Sequence, residues 1–160
     1  MSESAMPAEN VQDYPRPPAL EPVTERLRVV LAGTIIADTD RGFRVLETHH
    51  PPTYYIPVAD ILEGALVPVP GSSWCEWKGR AQYFDAKAAG ITSHRAAWGY
   101  PNPTARFALL KDHVAFYPER MEACFVRDEL VEAQPGSFYG GWVTSNLRGI
   151  VKGGPGTLGW

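Results

Sequence analysis

Short apolar runs bounded by turn residues recur along the chain from about residue 25, and this pattern predicts β-strands. LRVVL (27–31) and TIIAD (34–38) flank Ala32-Gly33, so they are expected to form a β-hairpin. Further strands are predicted for FRVLET (43–48), TYYI (53–56), WCEWKGRAQYF (74–84) and ITSHRAAW (91–98). Strands this numerous, without long helices between them, indicate a mainly β fold of short antiparallel strands.

The remaining predicted elements are short. HVAFY, EACFV and ELVEA, within residues 113–133, are expected to form a meander with a tight turn at Arg127-Asp128. PVADILEG (57–64) and PTARFALLKD (103–112) predict one or two short helices.

The two ends of the chain differ in composition from the middle. Residues 1–24 contain five prolines among polar residues, so burial is not expected to offset their ordering entropy, and a flexible arm is predicted. Residues 25–160 are then a single compact β-rich domain. Its last part, residues 135–160, is rich in glycine and aromatic residues, and we call it the C-terminal strap. The strap is expected to pack on the sheet; the alternative is that it closes a pocket and offers backbone N–H groups to an anion.

Composition and charge exclude several classes of function. The net charge is −3 and the Lys and Arg residues are scattered singly, so nucleic acid is not an expected partner. The sequence has no apolar run of membrane-spanning length and no secretory signal pattern, so we expect a cytoplasmic protein without membrane association. Cys75 and Cys124 belong to no C-x-x-C motif and are expected to be free thiols.

The tail contains a G-x-G-x-x-G match at Gly154, Gly156 and Gly159. A dinucleotide fingerprint needs a helix after the glycines, whereas here the sequence stops at Trp160. Pro155 also removes an N–H that a phosphate cradle would use. We therefore interpret the match as accidental.

The segment WKGRAQY suggests a ligand wall. In a strand, Trp77, Gly79, Ala81 and Tyr83 would share one face, and the two small residues would leave a gap between the aromatic rings. The gap is either a binding slot or room for a crossing strand. Lys78 is the best candidate to pair with an anionic group of a ligand. The alternative is that Lys78 is solvated or paired with a carboxylate of the protein.

AAWGYPNP would place a further pair of aromatic side chains, Trp98 and Tyr100, on one strand face. Their alternative role is core packing. The candidate ligand-binding residues are Tyr55, Trp77, Lys78, Arg80, Tyr83, Trp98, Tyr100, Tyr139 and Trp142.

Four motifs in order, HHPPTYYIPVADI, WCEWKGRAQYF, AAWGYPNP and VAFYPERM, resemble the family called domain of unknown function 427. The resemblance runs from about Arg26 to Val126, and the FYGGW and KGGPGT tail is similar to that of longer members. It implies a small, mainly β domain with a strongly bent, tent-like sheet, and no defined reaction. A nucleotidyltransferase-like label attached to the family finds no support in the residues, because the D-x-D pair Asp38 and Asp40 precedes Gly71-Ser72 instead of following it.

No metal site, cofactor or catalytic residue is predicted. The adjacent His49 and His50 would point to opposite faces of a strand, and no metal-binding spacing occurs among the histidines. No nucleophile elbow surrounds the serines.

Three hypotheses of function follow. The first is a domain that binds a small polar or anionic ligand in an aromatic-lined pocket. The second is an enzyme acting on a nucleotide or phosphorylated metabolite through His94, Asp60 or Glu76. The third is a β module for protein interaction or self-association. A concave pocket holding a titratable group with a perturbed pKa would favour the second, and a closed aromatic core would favour the third.

Overall fold

The computed structural model describes residues 6–135 and 139–153, and these residues form a mainly β fold, as predicted. The strands are β1 (Glu9–Asn10), β2 (Ala19–Val23), β3 (Leu27–Leu31), β4 (Thr34–Thr39), β5 (Gly42–Leu46), β6 (Thr53–Pro57), β7 (Leu66–Cys75), β8 (Gly79–Ala88), β9 (Ile91–Gly99), β10 (His113–Phe116), β11 (Ala123–Val126), β12 (Glu129–Leu130), β13 (Glu132–Ala133), β14 (Trp142–Val143) and β15 (Leu147–Arg148). Short 3₁₀ helices span Val11–Asp13, Val58–Asp60, Ala105–Leu110 and Pro118–Arg120. No helix in the described residues is long and apolar enough to cross a membrane.

A seven-stranded antiparallel sheet organises the domain, in the order β2-β5-β6-β10-β9-β8-β7. A four-stranded sheet has the order β12-β11-β3-β4, and two short pairs join β13 to β14 and β1 to β15. Proline occurs in both edge strands of the large sheet, at Pro22 in β2 and at Pro68 and Pro70 in β7. Edge strands accept proline because one side of the strand has no ladder partner.

The large sheet has a separate apolar cluster on each face, because side chains alternate along each strand. In β6, Tyr54 and Ile56 pack with Leu27 and Val29 of the small sheet and form the main core. Tyr55 points to the opposite face and packs in a second cluster, which is rich in aromatic side chains. This second cluster surrounds the candidate site.

Two predicted strand arrangements are wrong. WCEWKGRAQYF is a hairpin and not one strand, because β7 ends at Cys75 and β8 begins at Gly79, which has a φ of 109°. The predicted meander is also absent, since β10 pairs with β6 and β9 in the large sheet, whereas β11 pairs with β3 in the small one. The tight turn at Arg127-Asp128 is confirmed, with Val126 opposite Glu129.

The segment expected to be a flexible arm contains β2, which pairs with β5 along its whole length. Ion pairs from Arg44 of β5 also hold this segment in place. The two terminal nitrogens of Arg44 each donate a hydrogen bond to Glu9 at 3.1 Å, and its Nε donates to Glu21 at 2.6 Å. Backbone pairing at a sheet edge thus supplies hydrogen bonds that do not depend on apolar composition.

Candidate functional site

A cavity of about 520 Å³ opens on the aromatic face of the large sheet. Strands β6, β8 and β9 supply its wall, the turn between β7 and β8 supplies one rim, and the described part of the C-terminal strap supplies another. The aromatic side chains that line it are Tyr55, Trp74, Trp77, Tyr83, Trp98, Tyr100, Tyr117 and Tyr139.

Of the nine candidate ligand-binding residues, the structure brings seven to this cavity: Tyr55, Trp77, Lys78, Tyr83, Trp98, Tyr100 and Tyr139. Arg80 does not line this cavity; it lies in an open groove beside Pro101 and Asn102, which Ala81 also borders. Trp142 is fully buried in the main core, where its indole N–H donates to the Phe116 carbonyl at 3.0 Å.

The gap between the aromatic rings has two parts with different roles. A β-carbon at Gly79 would lie 3.2 Å from the Asn102 carbonyl oxygen, so a crossing segment fills the space there. That segment is fixed by Thr104, whose hydroxyl donates to the Trp77 carbonyl at 2.6 Å. Ala81, by contrast, lines the cavity. Ala81 is buried in the aromatic cluster, and its small side chain adds little bulk to the cavity wall.

The Tyr55 and Tyr117 hydroxyls of the wall are neutral groups. Burial raises the pKa of Tyr55 well above its usual value, with the neighbouring Tyr100 adding to the effect. Burial likewise raises the pKa of Tyr117 to about 12. The Tyr83 hydroxyl shares a hydrogen bond of 2.7 Å with Ser73. Uncharged phenols can orient a polar ligand through hydrogen bonds, but they do not repel an anion.

His50 lines the cavity in the neutral form, and Gln134 fixes its tautomer. The Gln134 amide nitrogen donates to the Lys152 carbonyl at 2.9 Å and to Nδ1 of His50 at 3.2 Å, while its Oε1 accepts from the Gly141 N–H at 3.2 Å. Because Nδ1 accepts this bond, the ring proton resides on Nε2. Burial is the main cause that lowers the pKa of His50; the charge of Glu47 raises it, and the charges of Lys152 and Lys78 lower it.

Two lysines line the cavity without a carboxylate partner in the described part of the chain. The ammonium group of Lys78 lies 5.9 Å from the centre of the Tyr100 ring, and that of Lys152 lies 5.3 Å from the centre of the Tyr139 ring. The third cation, Arg16, lies 4.0 Å from Glu47 and is balanced by it.

The described part of the strap both packs on the sheet and borders the cavity. A β-carbon at Gly140 would overlap the Trp98 ring, and one at Gly141 would lie 2.6 Å from the Pro51 side chain. Backbone bonds from Trp142 to Pro52 and from Lys152 to His49 hold the segment in place. Residues 136–138 of the strap, and residues 154–160 with the G-x-G-x-x-G match, lie outside the described residues.

The three acid–base candidates from the sequence do not meet. Glu76 lines the cavity, whereas exposed His94 bonds Asp85, and Asp60 pairs with Arg41. Sequence reasoning missed His50, Gln134 and Lys152 as cavity residues; the HHPP motif was the available signal, but it supported only the family resemblance and argued against a metal site. Within residues 6–135 and 139–153, no group of three or more His, Cys, Asp or Glu side chains could hold a metal ion.

The buried neutral His50 predicts a pH dependence of stability. Its folded pKa lies below the ordinary value of 6.5, so in mild acid the unfolded chain binds a proton that the folded chain does not. Lowering the pH from about 7.5 to about 5.5 should therefore reduce the Tm of the wild type more than that of His50→Gln. The exposed His94→Gln is the control variant and should behave like the wild type. Equal Tm losses for the wild type and His50→Gln would contradict a neutral His50.

These features define a β-sheet domain with an aromatic cavity and basic side chains at its rim. The model of the family described as domain of unknown function (DUF427) matches residues 19–127, and the chain belongs to this family. A comparison with curated proteins finds no match. The family region includes the aromatic wall, whereas Gln134, Tyr139 and Lys152 lie after it.

Proposed function

We propose that this domain binds a small molecule that carries an aromatic ring and an anionic group. The observation that carries the proposal is the aromatic cavity with Lys78 and Lys152 at its edge, neither of them paired with a described carboxylate. Its volume of about 520 Å³ lies within the usual range for ligand pockets. Aromatic faces would stack on the ring of the ligand, and the lysines would attract its charge.

The proposal is tested with two fluorescent probes of similar shape, 8-anilinonaphthalene-1-sulfonate, which is an anion, and N-phenyl-1-naphthylamine, which is neutral. We expect both to bind and the anion to bind more tightly, as measured by fluorescence titration at low salt. Ala81→Leu should weaken binding of both probes about tenfold, because the larger side chain fills the cavity. Lys87→Leu introduces the same side chain at an exposed position of β8 and should leave both affinities unchanged.

The stability of Ala81→Leu provides a second readout. Leucine in a filled core would overpack it and cost about 1–3 kcal/mol. In an open cavity the side chain should instead be accommodated, with a change in unfolding free energy of less than about 1 kcal/mol. Failure of both probes to bind the wild type, or unaltered affinities in Ala81→Leu, would overturn the proposal.

An enzyme acting on a phosphorylated metabolite is the second candidate, and His50 favours it. This imidazole is neutral and has no described partner at Nε2, so its Nε2–H can donate a hydrogen bond that stabilises negative charge developing on a bound molecule. The test is ³¹P NMR of the protein incubated with a panel of aromatic phosphate monoesters. A phosphorus signal that changes with the wild type, but not with a ligand-binding His50→Gln variant, would establish catalysis. Unchanged signals throughout would leave a binding domain.

A further inference from the structure

Three donor groups converge on the cavity from three separate segments of the chain. Lys78 lies in the turn between β7 and β8, His50 lies in the loop between β5 and β6, and Lys152 lies in the strap. The charges of both lysines act on the His50 ring, which places the three groups within electrostatic range of one another.

The hydrogen bonds of Gln134 fix one of these donors. Both hydrogens of its amide are used, one on the Lys152 carbonyl and one on Nδ1 of His50, so the amide cannot turn over without losing both bonds. The remaining Nε2–H of His50 has no partner among the described residues. A donor that is held in place and has no acceptor within residues 6–135 and 139–153 is available to a ligand.

The two lysines at the cavity favour a ligand group that carries two negative charges. Arg16 pairs with Glu47, and exposed Glu76, which also lines the cavity, forms no ion pair with Lys78 or Lys152 among the described residues, so both ammonium groups can contact a ligand beside the neutral imidazole. A carboxylate or a sulfate ester would match one lysine only, whereas a phosphate monoester is doubly charged near pH 7 and has three acceptor oxygens. Three acceptor oxygens also suit three donor groups.

We propose that Lys78, Lys152 and the Nε2–H of His50 form a subsite for the phosphate group of an aromatic phosphate monoester, whose ring occupies the tyrosine- and tryptophan-lined cavity. This inference rests on the function proposed above and narrows its ligand class. The subsite joins the sheet to the strap, because Lys78 and His50 come from loops of the sheet and Lys152 comes from the strap. A bound phosphate therefore links the described part of the strap to the loops of the sheet.

Three probes that share one ring test the subsite: phenyl phosphate, phenyl sulfate and phenol, which carry two, one and no negative charges near pH 7. Binding is measured by isothermal titration calorimetry on the full chain at low salt. We expect phenyl phosphate to bind at least about tenfold more tightly than phenyl sulfate, and phenol to bind most weakly. This comparison uses the wild type alone and does not depend on any variant folding.

Variants then locate the subsite. Lys78→Met and Lys152→Met should each weaken phenyl phosphate binding about tenfold and leave phenol binding within about twofold, because only the charge contact is removed. Lys87→Met, on the exposed side of β8, is the matched control and should bind all probes as the wild type does. Circular dichroism and Tm establish that each variant is folded.

Each outcome bears on a different proposal. Equal affinities for phenyl phosphate and phenyl sulfate, or unaltered phosphate binding in both lysine variants, would overturn the dianion subsite and leave the aromatic pocket standing. Failure of all three probes to bind, together with failure of the naphthalene probes, would overturn the proposed function itself.

Discussion

Replacing Gly140 with alanine should lower the free energy of unfolding by about 3 kcal/mol and abolish ligand binding in the cavity. A β-carbon at this position would lie 2.8 Å from Cζ3 of Trp98 and closer still to another ring atom, so one of the two segments must move. The Trp98 side chain has little room to move, because the centre of its ring lies 4.5 Å from that of Tyr117 and 6.4 Å from that of Tyr55. The displacement should therefore fall on the strap, which carries Lys152 at the cavity rim.

Urea denaturation measures the loss of stability, and titration with 8-anilinonaphthalene-1-sulfonate measures the loss of binding. Gly90→Ala is the control, because Gly90 has a φ of 79° but no atom within 4 Å of an added β-carbon. Its cost should be about 1 kcal/mol, from the backbone conformation alone, with binding unchanged. Similar stability losses and intact binding in both variants would mean that the strap does not rest on Trp98.

Local pattern in the sequence was sufficient to predict much of the aromatic wall. Trp98 and Tyr100 are two residues apart in a β-rich segment, so they face the same side, and the structure places both at the cavity with Tyr55. The same alternation predicts that Arg80 faces away from Ala81, and Arg80 does not line the cavity. Period-two patterns identify which side chains share a face, but they do not say which face is open.

The polar part of the site could not be predicted in this way. His50, Gln134 and Lys152 are separated by 84 and 18 residues in the chain, and they meet because the strap returns across the loop before β6. No local motif encodes such a contact. The two glycines of FYGGW were a usable signal, since Gly140 and Gly141 lie where side chains would collide with Trp98 and Pro51.

Long-range strand order also escaped prediction. β10 and β11 are consecutive in the chain, yet the 3₁₀ helix Pro118–Arg120 separates them and they join different sheets. Similarly, the proline content of residues 1–24 argued against ordered structure, whereas β2 forms the edge of the large sheet. The amino-acid composition of a segment indicates how much apolar surface its side chains can bury. An edge strand, however, is held mainly by backbone hydrogen bonds to one neighbouring strand, and these do not depend on composition.

Truncation of Trp142 to alanine should produce the largest loss of stability in the described part of the strap, about 4 kcal/mol. Trp142 is fully buried, packs on Tyr54 with ring centres 5.1 Å apart, and donates its indole N–H to the Phe116 carbonyl at 3.0 Å. Alanine would leave a cavity in the main core and an unpaired carbonyl. Thermal and urea unfolding measure this loss.

Trp142→Phe separates the structural role of this residue from a role in ligand binding. Phenylalanine fills most of the space and loses the hydrogen bond, so the cost should be about 1–2 kcal/mol. Because Trp142 belongs to the main core and not to the cavity wall, the folded variant should bind 8-anilinonaphthalene-1-sulfonate as the wild type does. Tyr100→Leu, at the cavity wall, should instead weaken that binding about tenfold, since a stacking surface is lost. A tenfold loss of affinity in Trp142→Phe with little loss of stability would place Trp142 against the ligand and contradict its assignment to the core.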